Sequence, residues 1–112
     1  MKNIKLLKQV IVKSQVEGVH CWSKCNIGEV NFLKNLHRHI FYIELHKSVT
    51  GSDREIEIIM LKRKIKKYLG DEPVMFNGLS CEMIAETILK EFDADLVKVL
   101  EDNENGAIIT KL

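Results

Sequence analysis

Leu36-His37-Arg38-His39-Ile40-Phe41-Tyr42-Ile43-Glu44-Leu45 decides the fold. It reads as a β-strand that opens on two histidines. Successive strand side chains point to opposite faces, so His37 and His39 share a face with Phe41, Ile43 and Leu45. Arg38, Ile40, Tyr42, Glu44 and His46 take the other face, which keeps His46 away from the pair. Two imidazoles side by side at a strand's start suit a metal, provided a third ligand arrives from elsewhere.

That ligand is sought in the strand before. Residues 3–16 alternate, with Ile4, Leu6, Val10, Val12 and Val16 on one face and Leu7 and Ile11 as exceptions. An extended path onward keeps Val16, Gly18 and His20 on the apolar face. Residues 21–35 have no sustained period and carry Asn26, Gly28 and Asn31, so they read as a loop. An antiparallel pairing of the strands on either side brings His20 next to His37 and His39. The other reading is three strand and loop histidines without a metal. A closed zinc site from Cys21, Cys25, His37 and His39 is disfavoured, because His-x-His on a strand is not zinc-finger spacing.

Further along, Thr50–Asp53 is a turn, and an extended piece to about Ile56 leads into a helix ending at Leu69. Leu61, Ile65, Tyr68 and Leu69 form its inward stripe, with Gly70 and Pro73 closing it. Ser80 caps a second helix over 81–92, whose buried face is Ile84, Ala85, Ile88, Leu89 and Phe92. Asp95 to Glu101 alternates as a strand, Asn105-Gly106 is the hairpin turn, and Ala107–Lys111 returns. The expectation is α+β: a four-stranded antiparallel sheet in order ββααββ with two helices on one face.

The bulk numbers narrow the function classes. A chain of 112 residues with one proline and no Ser/Gly tract predicts a single domain, residues 1–112. Its 17 basic and 16 acidic residues leave a formal charge of +1, with no field to draw nucleic acid or an anionic membrane. The basic run Lys62-Arg63-Lys64-Ile65-Lys66-Lys67 reads as one solvated helix face. No apolar run approaches the length of a membrane span. The 3 cysteines, an odd number without a leader before them, predict a reduced, cytoplasmic protein.

Five patches in order carry a resemblance to a known family. Val16-Glu17-Gly18-Val19-His20 resembles a strand ending in a zinc-binding histidine, and His37-Arg38-His39 resembles a His-Gly-His. Glu57-Ile58-Ile59-Met60-Leu61-Lys62 and Leu79-Ser80-Cys81-Glu82-Met83-Ile84-Ala85 resemble the starts of its two helices. Val97-Lys98-Val99-Leu100-Glu101 resembles its strand ending in the glutamate that anchors a pterin ring. The family is the 6-pyruvoyl-tetrahydropterin and 6-carboxytetrahydropterin synthase group, built on the tunnelling fold. Short phage and bacterial proteins of that fold are similar in their HRH and SCE words.

The resemblance implies zinc on His20, His37 and His39, a ring anchor at Glu101, and a homo-oligomer, trimer or hexamer, with paired sheet edges. An ionised carboxylate suits the anchor because it accepts paired donors. The other reading of Glu101 is a solvated strand end beside Asp102 and Glu104. Glu82 has a structural reason in the helix dipole and a secondary one in ligand binding. Departures fall on the acid–base residues. Leu33 stands where the family has its cysteine, Arg38 replaces the middle glycine, and residues 70–79 hold no histidine. Cys25 is the better candidate nucleophile, and Cys81, at a helix start, the other. The expected function is therefore binding of a purine- or pterin-type metabolite without turnover, as in a phage ligand-sequestering protein. The alternative is a zinc-dependent lyase of the synthase type. A purely structural oligomer with a vestigial site is the third reading.

Overall fold

The computed structural model describes residues 3–112. Met1 and Lys2, which open the segment read as carrying no leader, lie outside the described residues. Strands β1 (Lys8–His20) and β2 (His37–Val49) form a long antiparallel ladder in which His20 faces His37 and Lys8 faces Val49. Helix α1 (Ile58–Leu69) is followed by strand β3 (Val74–Asn77) and helix α2 (Cys81–Phe92). Strands β4 (Leu96–Glu101) and β5 (Asn105–Thr110) complete the chain.

The expected four-stranded antiparallel sheet is corrected here. The sheet has five strands in order β3-β1-β2-β4-β5, and β3 runs parallel to β1. Four residues between Pro73 and Gly78 are too few for a visible alternation, so the segment looks like connecting loop. Its Val74 and Phe76 nevertheless point inward, at 6% exposure each. The expected loop at 21–35 also contains a kinked 3₁₀ segment, Gly28–Lys34, with none of its residues buried. Residues 3–7 are exposed and outside any strand, so β1 begins later than the alternation suggests.

Local chemistry sets the element ends. Glu57 caps α1, its carboxylate accepting from the amides of Ile59 and Met60. Glu55, by contrast, folds back to accept from the amides of Thr50 and Gly51 and takes no part in the cap. Ser80 caps α2 by accepting from Met83 N–H at 3.2 Å. The β4–β5 turn lies earlier than Asn105-Gly106. Asp102 and Asn103 both have positive φ, at 54° and 59°, and Glu104 N–H donates to Glu101 C=O at 2.9 Å. Two left-handed central residues give the tight Glu101–Glu104 turn the twist of the flanking strands, and Glu104 is the extra residue before the ladder begins at Glu101–Asn105.

One core lies between the sheet and the helices. Val12 and Val16 of β1, Phe41, Ile43 and Leu45 of β2, and Val97 and Val99 of β4 project into it. Leu61 and Ile65 of α1 and Ile84, Ala85 and Ile88 of α2 meet them. Each fully buried isoleucine contributes about 1.5–3 kcal/mol by leaving water. Tyr68, placed by its spacing in the α1 stripe, is 42% exposed and meets the Phe92 ring edge to face. No helix among the described residues is long and apolar enough to cross a membrane.

Candidate metal centre

Register brings the site together. His20 pairs with His37, Gly18 with His39, and Phe41 with Glu101, so these side chains emerge on the core face at one end of the sheet. The imidazole centroids are 4.6 Å (His20–His37), 5.4 Å (His20–His39) and 5.0 Å (His37–His39) apart. One ring nitrogen from each lies within 4.8 Å of the other two. Phe41, fully buried, lies 5.2 Å from the His20 ring and 5.7 Å from that of His39, giving the cluster an apolar side.

Each imidazole is oriented through its Nδ1. His20 Nδ1 lies 2.9 Å from Leu79 C=O, His37 Nδ1 2.8 Å from Asn35 C=O, and His39 Nδ1 2.7 Å from the Asp102 carboxylate. All three partners are acceptors, so the Nδ1 atoms carry protons, and in the neutral rings the Nε2 atoms carry lone pairs. This is the arrangement by which metal-binding histidines are held in one tautomer and ring orientation.

The elements that hold these acceptors were the ones hardest to read. The unexpected β3 pairs with the last residues of β1, and Cys21 N–H donates to Asn77 C=O at 2.7 Å. The chain then turns, with Leu79 N–H on Phe76 C=O, and delivers the Leu79 carbonyl to His20. Asn35 ends the 3₁₀ segment. Asp102 occupies the β4–β5 turn, and its other oxygen accepts from Ile40 N–H at 3.0 Å. The His39 ring, and then that amide, hold the Asp102 carboxyl below its ordinary value. Its role is hidden in the sequence, where Glu101-Asp102 looks like turn acidity. The only available signal is a position one residue past β4, which the register sets opposite Ile40, the neighbour of His39.

Glu101 sits against the cluster. One carboxylate oxygen is 2.9 Å from His20 Nε2 and the other 3.6 Å from His39 Nε2. Neither contact is a hydrogen bond: both Nε2 atoms are buried with no hydrogen-bond partner. With the protons on Nδ1, lone pairs face a carboxylate, acceptor against acceptor. A cation between them removes that conflict. A proton relieves one such contact, whereas a metal ion serves three nitrogens at once. The donor set therefore fits a divalent metal with an affinity for imidazole.

A cleft of about 520 Å³ opens beside the cluster, lined by His20, His37, Trp22, Cys81, Glu82 and Glu101 among others. That volume lies within the range of small-molecule sites. Cys81 donates its thiol hydrogen to Glu101 at 3.6 Å. Burial, and then the neighbouring carboxylate, push the Cys81 thiol up to about 12, far from a thiolate nucleophile at neutral pH. Cys25 is buried, its thiol against the carbonyls of Ile27 and Val30, and does not line the cleft. Leu33 does line it. Arg38 lies on the far face, paired with Glu17 at 2.8 Å, so the residue that replaces a glycine does not crowd the histidines. His46 also lies on that face, 2.7 Å from Glu44.

No protein-family model matches the chain, and no curated protein matches it.

Proposed function

We propose that this protein holds a divalent metal ion, zinc in the first instance, on His20, His37 and His39. We propose further that it binds a purine- or pterin-type small molecule in the adjoining cleft without chemical turnover. The observation that carries the reading is the convergence of three Nδ1-anchored imidazoles, two of which, His20 and His39, have buried Nε2 atoms with no hydrogen-bond partner. A bound ion would supply Lewis-acid polarisation of a ligand oxygen or nitrogen. Trp22 offers a flat apolar surface in the cleft, and Glu101 and Glu82 offer acceptors to the N–H edge of a ring. The ring class itself rests on the resemblance of the sequence to pterin synthases.

The absence of turnover is supported by the thiols. Leu33 occupies the cleft where the resemblance expects a cysteine, Cys81 is held protonated, and Cys25 lies elsewhere. The synthase-like lyase is the competing outcome. Purified protein is expected to bind one zinc per chain by mass spectrometry of metals and by titration, and His37→Ala to lose most of that affinity. A protein without stoichiometric metal, unaffected by His37→Ala, would sink the reading. With zinc present, a panel of purine nucleotides and pterins should raise the melting temperature for at least one member. Conversion of dihydroneopterin triphosphate to product would replace binding with the lyase.

A further inference from the structure

We propose that Glu101 is the fourth metal ligand, closing the centre in the ligand-free protein; this deepens and rests on the metal reading above. Donor atoms on a tetrahedral ion with bonds of about 2.0–2.1 Å are about 3.3 Å apart. The Glu101 oxygens stand 2.9 Å from His20 Nε2 and 3.6 Å from His39 Nε2, on either side of that spacing. Unprotonated ring nitrogens and a carboxylate at these distances repel one another. Glu101 nevertheless sits between the two rings, half-buried, where a shared cation would offset the repulsion on both sides at once.

The backbone fixes this placement. Glu101 is the last residue of β4, paired with Phe41, and the next residue, Asp102, is tied to both His39 and the Ile40 amide. One turn thus supplies a carboxylate to the metal face of His39 and another to its Nδ1. Cys81, at the start of α2, donates to the same Glu101 oxygen that faces His20. The thiol leaves the second oxygen free and steadies the side chain from the cleft side. A His₃Glu set has no open position, so a ring that takes hydrogen bonds from Glu101 must also uncover the metal. Ligand entry and the opening of the fourth position become one event.

Cobalt(II) is the probe, because its visible absorption reports the ligand set. The wild-type protein should take up one cobalt and keep its spectrum when azide is added. Glu101→Gln should bind cobalt roughly 100-fold more weakly. Its spectrum should change on azide addition, as an opened position admits the anion. Glu101→Gln binding as tightly as wild type, or wild type answering azide as readily as the variant, would overturn the assignment and leave the three-histidine centre standing. Wild-type protein that takes no cobalt would overturn both. Should the variant fail to fold by circular dichroism, the azide response of the wild type alone decides: an unchanged spectrum supports the fourth ligand, a changed one refutes it.

Discussion

Ser14 faces the core from the middle of β1, opposite Ile43, and its hydroxyl is buried with no hydrogen-bond partner. An unmet hydroxyl in an apolar site costs on the order of 1–3 kcal/mol. Ser14→Ala removes the oxygen and leaves a gap smaller than a methyl group. It is expected to stabilise the fold by about 1 kcal/mol in urea unfolding, and a loss of stability would contradict the packing described. The same arithmetic applies to the Nε2 atoms of His20 and His39, which are buried and unmet in the same way. The difference is convergence: Ser14 is alone, while the imidazole nitrogens point together. At this scale strand parity placed the three histidines, and separately Glu101, on inward faces, while the resemblance to the pterin synthases supplied their roles. It could not reveal Asp102, because a side chain's partner across a turn depends on the turn's own geometry.

Among the elements, the β4–β5 hairpin matters most to the site, and Gly106 explains its shape. Asn105-Gly106 has the composition of a turn, yet the turn is made by Asp102 and Asn103, and Gly106 lies in β5. A Cβ on Gly106 would stand 1.8 Å from the Val99 carbonyl oxygen and 2.8 Å from Leu100 Cα. The glycine serves close approach of two backbones rather than positive φ. Gly106→Ala must push β5 off β4 and disturb the turn that carries Glu101 and Asp102. The expected cost is about 1–3 kcal/mol, read by denaturant unfolding, with a parallel loss of metal affinity. An alanine variant as stable as wild type would show that the strands can part freely. The two α-helices were legible because ten or more residues of 3.6 periodicity, with caps, speak for themselves. β3 was not: it has four residues and exists because β1 offers an edge.

For the molecule as a whole, charge and pH set a limit. Glu55 is held low by the Gly51 amide and the Thr50 hydroxyl and amide, Glu44 by His46 and two lysines, and Asp95 by Ser48. Each has a folded-state value below its ordinary one of 4.5 for Glu or 3.8 for Asp. Their stabilising contribution is therefore complete above those values and is lost as pH falls through the lower folded-state values. In metal-free protein these carboxylates add no loss of melting temperature from neutral pH down to about 4.5, and a fall below it. A protein that melts no earlier in acid would show these contacts to be without weight. The order of elements was readable except for β3 and the 3₁₀ segment, and the sheet topology was not, since pairing partners are chosen in three dimensions.

The ladder of β1 and β2 runs 13 residues, or about 40 Å, with His20 and His37 at one end and Lys8 and Val49 at the other. Trp22, the single tryptophan, stands at the histidine end and lines the cleft. Its fluorescence should answer to metal, to ligand and to unfolding alike. A dye attached at Val49, a whole ladder away, should answer to unfolding alone. The protein thus carries two optical channels on one rigid spine, and their difference isolates occupancy of the site from loss of the fold.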